Sequence, residues 1–185
     1  RIPAFAGRGL AKLGLVPQPL PAGEIYQALE KGTIDASEWI GPYDDLKLGL
    51  HKVAPYYYYP AWWEGSTQFS VYINSDKWNS LSKDYQAIVA QAAAAAHVQC
   101  QARYDARNPA ALKQLVAEGA KLSRFPKDVM DAAYKAAQEV YKELEEKNPN
   151  WNKVYPDYKS FLAQQVQWQS VAEANYTQYL AAQKL

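Results

Sequence analysis

Cysteine is nearly absent: Cys100 is the only one in 185 residues. That excludes an internal disulfide and a cysteine-based metal cluster. Charge of one sign is lacking as well. Twenty basic residues face nineteen acidic ones for a formal net charge of +1, and the lysines and arginines are scattered. No global field recruits nucleic acid or an anionic membrane. Long hydrophobic runs are missing too. The longest, alanines 92–96, falls far short of the roughly 20 residues that span a bilayer. The two histidines, His51 and His97, stand apart and read as structural or exposed. There is no H-E-x-x-H, EF-hand loop, P-loop, nucleophile elbow or G-x-G-x-x-G. The chain begins at Arg1 with neither methionine nor a signal-like stretch, so the expectation is a mature or truncated product.

What the sequence does have is aromatic surface: fifteen tyrosines and six tryptophans. Each joins an apolar body to a polar handle, which suits cores and small-molecule clefts alike. With 49% hydrophobic residues, the chain can build one or two lobes with a core. Cys100 lies three residues after His97, within helical reach of a base. A small buried side chain is the ordinary explanation for it.

The first third reads as short strands alternating with helices. RIPAF is the end of a strand and GRGLAKLGLVP a short helix. AGEIYQALEKG is a helix stopped by Gly32, TIDASEW a strand, and GPYDDLKLGL a turn and helix. That alternation predicts a parallel or mixed α/β sheet, with ligands gathering where strands hand over to helices. YYYYPAWW and STQFSVYIN are extended segments, the second closed by Asn74. Ser82 caps a long helix to about residue 108, where Asn108-Pro109 predicts a kink or a domain crossing. AKLSRF is one more strand, and residues 126–147 form an amphipathic helix. NPNWNKVYP reads as a turn-rich link. Residues 157–185 read as one helix about 40 Å long at about 1.5 Å per residue. Its stripe of Tyr158, Phe161, Leu162, Trp168, Ala172, Tyr176 and Tyr179 fits packing on its own domain or a subunit contact.

The acidic residues near tryptophans carry the chemistry. Asp44 and Asp45 open a helix after Gly41-Pro42, where capping is their first role. Glu38 precedes Trp39, and Glu64 follows Trp62 and Trp63. A carboxylate among indoles is desolvated and must find a cation or take a proton. Two such carboxylates also fit the acid and base of a glycoside hydrolase. Arg1, directly before Ile2-Pro3, is placed to clamp a carboxylate bidentately, or else is a frayed end without a role.

R-I-P, a short helix ending in L-G, then E-I-Y-Q-A-L-E-K-G-T-I-D-A-S-E-W resembles the periplasmic solute-binding proteins of TRAP transporters. The likeness runs on through GPYDDLKLGLHKVAPYYYYPAWWEG, similar to the branch that binds 2-oxo and 2-hydroxy acids, and through INSDKWNSLSKDYQAIV. It implies a two-lobed, hinged α/β periplasmic binding protein-like fold with a long C-terminal helix, its N-terminal part missing from this chain. Residues 1–65 and 108–148 would form the second lobe, 66–107 a segment of the first, and 149–185 the C-terminal helical tail. It implies a non-enzymatic periplasmic component that binds a small monocarboxylic acid of the pyruvate or lactate type and delivers it to the membrane subunits. By position, Arg1 would meet the substrate carboxylate, with Trp39 and Trp63 lining the ligand. Glu38, the Trp39 carbonyl and Glu64 would hold a cation. Calcium, which accepts six to eight oxygens in loose geometry, fits that charge better than sodium, the alternative. A homodimer through the C-terminal helix belongs to the same expectation. The rival readings are a carbohydrate-active hydrolase using Glu38 and Glu64, and a helical dimerisation module.

Overall fold

The computed structural model describes residues 1–65 and 69–183. The first three residues of the segment expected to be extended, 66–74, and the last two of the tail lie outside them. Helices dominate: α1 (Ala4–Lys12), α2 (Ala22–Glu30), α3 (Pro42–Leu48), α4 (Ser75–Ser80), α5 (Lys83–Ala117), α6 (Lys127–Lys147), α7 (Pro149–Val171) and α8 (Glu173–Ala181). A 3-10 turn, Leu50–Lys52, follows α3. The sheet is a parallel pair, β1 (Tyr56–Tyr59) and β2 (Lys121–Arg124), registered Tyr56 to Lys121 and Tyr59 to Arg124. Parallel strands need a long crossover, and α4 and α5 supply it. The chain divides into two compact units, Arg1–Ala136 and Ala137–Leu185.

The first unit is organised around α2. Ile25, Ala28 and Leu29 recur at helical spacing and are buried with Ile34, and Leu20, Trp39, Leu50, Val53 and Ala54 pack against them. At the end of α2 the Thr33 N–H donates to the Ala28 carbonyl and the Gly32 N–H to that of Leu29. This Schellman closure needs a left-handed residue, which Gly32 supplies at φ 68°. The turn sends the chain from buried Ile34 into the 35–41 segment.

Several sequence expectations change here. RIPAF and TIDASEW form no strand, yet they lie side by side. The Arg1 N–H group donates to the Ala36 carbonyl and the Glu38 N–H to that of Arg1, a pairing too short to make a ladder because α1 begins at Ala4. Residues 69–74 form no strand either, and Asn74 instead caps α4, accepting from the Asp76 and Lys77 N–H groups. Ser82 caps α5 as expected, but α5 runs unbroken through Pro109 for 35 residues. A proline inside a helix costs one hydrogen bond and about 3 kcal/mol. Hydrogen bonds to α3 from the turn just ahead of the proline fasten the helix there, as described below. Tyr85 and Ile88 on its first half are exposed.

In α6, Ala133, Ala136, Val140 and Leu144 form a buried stripe at helical spacing, while Val129 in the first turn is exposed. The turn-rich link is a helix start instead. Asn148 accepts from the Asn150 and Trp151 N–H groups, and Pro149 takes the first helical position, where its missing N–H costs nothing. In the second unit, Tyr141, Trp151, Tyr155 and Tyr158 stack in sequence, with centroids 5.5, 4.5 and 6.4 Å apart. The tail is two helices, not one, broken at Ala172 (φ −96°, ψ −107°). Tyr158, Phe161, Leu162, Trp168, Tyr176 and Tyr179 on it are all exposed.

Candidate functional site

The paired segments around Arg1 and Glu38 bring three of the sequence candidates together. The Arg1 guanidinium donates through Nη1 to the Glu38 carboxylate and, at 3.3 Å, to the Glu38 carbonyl, while its Nε donates to the Leu20 carbonyl at 3.1 Å. Its Cζ sits 5.2 Å from the centre of the Trp39 ring, within range of a cation–π attraction. The ion pair is mostly shielded, with 14% and 12% of the two side chains exposed. Burial pushes the Glu38 carboxyl above its ordinary pKa. Arg1 opposes that shift, and the nearby negative charges of Glu64 and Asp45 add to it. The sequence reading gave Arg1 and Glu38 to opposite ends of a ligand, whereas here each is the other's partner.

Glu64 is exposed, and its charge reaches Glu38. Trp63 belongs to an aromatic cluster at the end of the sheet. It meets Trp62 edge-on at 5.3 Å and Phe125 at 6.1 Å, and Phe125 stacks on Tyr58 at 5.0 Å. Arg1, Glu38 and Trp39 thus form one constellation, and Trp63 stands in a second.

The loop carrying Glu38 is held from behind by Asp45. This carboxylate is 7% exposed. Its Oδ1 accepts from the Ile40 and Gly41 N–H groups at 3.3 Å each, and its Oδ2 from the Tyr57 hydroxyl at 2.6 Å. Burial raises the Asp45 pKa, and the bonds from Tyr57, Ile40 and Gly41 hold it down. The same burial, then the Asp45 charge and hydrogen bond, push the Tyr57 phenol far above its usual pKa, so it stays a donor. Capping explains half of this role: Asp45 reaches back to the Ile40 and Gly41 amides just ahead of α3. Its bond to β1 has no local sequence signal, since Tyr57 sits within a run of four tyrosines.

α3 is fastened to α5 in turn. Tyr104 donates to Asp44 at 2.7 Å, Arg107 to the Tyr43 hydroxyl at 2.7 Å, and the Tyr43 N–H to Asn108 Oδ1 at 3.1 Å. The bond to Asp44 is the first cause that pushes the Tyr104 phenol up to about 12. Lys47 lies 3.6 Å from the Tyr43 ring centre. Asn108, read from sequence as a helix breaker, is a fastener.

As a cation site, Glu38 and Glu64 offer hard oxygen donors of the kind calcium takes. Among the described residues no group of three or more histidine, cysteine, aspartate or glutamate side chains is arranged to hold a metal. Any cation there would complete its shell with main-chain, solvent or ligand oxygens. Glu38 would have to share or release Arg1 to join it.

Residues 1–148 match the family described as bacterial extracellular solute-binding protein, family 7 (DctP). The chain belongs to this family. It is 42% identical over 182 residues to a monocarboxylate 2-oxoacid-binding periplasmic protein of Nostoc sp., covering 98% of this chain and 50% of that relative. Among solved structures, a TRAP transporter solute-binding protein from Bordetella bronchiseptica RB50 is 50% identical with a TM-score of 0.92, over 100% of this chain and 56% of that one. It is described as a mixed-occupancy dimer with copurified calcium and picolinate in the active site. A TRAP periplasmic solute-binding protein from Pseudoalteromonas atlantica T6c, described with bound sodium and pyruvate, is 38% identical with a TM-score of 0.91, over 96% and 54% of the two chains. The chain spans about half the length of these relatives. DctP proteins are solute-binding transport components rather than enzymes, and the hydrolase alternative is set aside. The fold is that of the TRAP binding proteins, represented here by its helix-rich part with a small parallel sheet.

Proposed function

We propose that this chain is the ligand-gripping part of the periplasmic solute-binding component of a TRAP transporter. It captures a small monocarboxylic 2-oxo or 2-hydroxy acid with a cation and delivers it to the membrane subunits. The observation that carries this reading is the Arg1–Glu38–Trp39 constellation: a guanidinium beside a shielded carboxylate, stacked on an indole. A bound acid and a cation would exchange partners with this pair, the acid's carboxylate taking the planar fork of Arg1 and the cation taking Glu38. The buried ionic contacts would then be replaced rather than lost, which keeps desolvation small. Glu64, the Trp39 carbonyl and the ligand's own oxygens complete the cation shell in this reading, with Trp63 lining the ligand. The calcium and sodium named with the relatives support a hard cation, and the carboxylate pair favours calcium.

The lobe assignment belongs to the same reading: residues 1–65 and 108–148 in one lobe, 66–107 crossing to another, and 149–185 as a tail. Dimerisation through that tail is favoured by its exposed aromatic stripe and by the dimer described for the Bordetella relative. The test is calorimetry on the complete natural chain with pyruvate, lactate and picolinate, with calcium and with chelator. Heat for at least one of these acids is expected, stronger with calcium. No heat for any of them in either condition overturns the proposal.

A further inference from the structure

His51 lies in the 3-10 turn that follows α3, and it is 7% exposed. Its Nε2 is 2.9 Å from a carboxylate oxygen of Glu118, the residue that closes α5. An ionised carboxylate only accepts, so Nε2 carries the proton in this contact. The other ring nitrogen, Nδ1, is buried and has no hydrogen-bond partner among the described residues. A buried polar atom left unpaired is costly, so such atoms are almost always paired with protein or with ordered water.

His51 lines a cavity of about 60 Å3, together with polar Ser37, Asp45 and Tyr57 and with apolar Leu29, Leu50 and Leu115. One water needs roughly 10–15 Å3 of such space and two to four polar partners. Ser37, Asp45 and Tyr57 supply polar atoms besides Nδ1. Ser37 and Trp39 flank Glu38 in the chain, and the Ser37 hydroxyl donates to the Glu38 carbonyl at 2.9 Å. That hydroxyl keeps its lone pairs for a further donor.

We propose that His51 is a positioning residue for the Ser37–Trp39 segment, acting through ordered water that joins its Nδ1 to the polar groups under that segment. The inference rests on the ligand site proposed above. His51 touches neither ligand nor cation in this scheme. It fixes the height and tilt of the loop that presents the Glu38 carboxylate and the Trp39 carbonyl, while Glu118 locks the ring from the far side.

Two amide substitutions separate the two nitrogens, because asparagine places a polar atom near Nδ1 and glutamine places one near Nε2. On the complete natural chain, His51→Asn is expected to keep pyruvate affinity in calcium within about threefold of the unmodified protein. His51→Gln, which keeps only the Glu118 contact, is expected to weaken it about tenfold, the effect of one lost hydrogen bond. Equal affinities for the two variants, or a weakening that follows their melting temperatures alone, overturn the proposal. A high-resolution crystal structure of the unmodified chain is the second arm and needs no variant to fold. Water within hydrogen-bonding distance of both His51 Nδ1 and Ser37 Oγ supports the proposal, and a dry cavity overturns it. If the unmodified chain binds no 2-oxo acid, the proposed function fails while the crystallographic arm still judges the water.

Discussion

Tyr57→Phe tests how the ligand loop is held. The substitution removes one hydroxyl, the donor to Asp45 Oδ2 at 2.6 Å, and leaves the ring in place. A hydrogen bond to an ionised group contributes about 1.5–3 kcal/mol, and one between neutral groups about 1 kcal/mol. The two remaining bonds to Asp45, from Ile40 and Gly41 at 3.3 Å, are long and do not compensate. The expected loss of stability is therefore about 2 kcal/mol while Asp45 is ionised and about 1 kcal/mol once it is protonated. The pH dependence follows from the direction of the Asp45 shift. Burial raises its folded pKa above the unfolded value, against the Tyr57 bond that lowers it. Between those two values the native state holds a proton that the unfolded chain has lost, so stability falls as pH rises through that window and levels off above it. Removing Tyr57 raises the folded pKa further and widens the window. The cost of Tyr57→Phe thus grows with pH. Urea unfolding of both proteins at about pH 4.5 and about pH 8 reads this difference directly. A cost that is the same at both values, or smaller at the higher one, refutes the assignment of Asp45 as the ionised anchor.

Other expectations are open to simple assays. Arg1→Lys keeps the charge but loses the planar fork and the Nε bond to Leu20, so pyruvate affinity by calorimetry is expected to fall about 10- to 100-fold. An unchanged dissociation constant would remove Arg1 from the ligand. Phe161→Asp together with Trp168→Asp places charge on the exposed face of α7. Light scattering is expected to find a dimer for the unmodified chain and a monomer for the variant, and a monomer in both cases rejects the tail as an interface.

Much of this molecule was legible because short-range chemistry decided it. α2 and α6 announced themselves by apolar spacing, Gly32 by its place after the last periodic residue, and Ser82 as a cap. The order of motifs gave the family, which the match over residues 1–148 establishes. What sequence hid was set by contacts far apart in the chain. Pro109 breaks a helix by local rules, but Tyr104, Arg107 and Asn108, in the turn just ahead of it, are tied to α3. Residues 148–156 looked like a link because prolines and asparagines dominate, and Asn148 and Pro149 turned out to be a cap and a first helical residue. RIPAF and TIDASEW are strand-like in composition, yet they share too few residues to form a ladder. Around Glu38, the indole neighbour was visible, but its bond to Arg1 spans 37 residues and that of Asp45 to Tyr57 crosses from a helix to a strand. Burial of His51 carried no local mark at all.

The sharpest trial is a pyruvate titration of the unmodified chain and of Glu38→Gln, each in calcium and in chelator. Calcium should tighten pyruvate binding to the unmodified protein, and Glu38→Gln should abolish that gain and weaken binding at least about 100-fold, while far-ultraviolet circular dichroism shows the fold retained. Equal pyruvate affinity in the two proteins, with calcium making no difference to either, would contradict a cation held at Glu38.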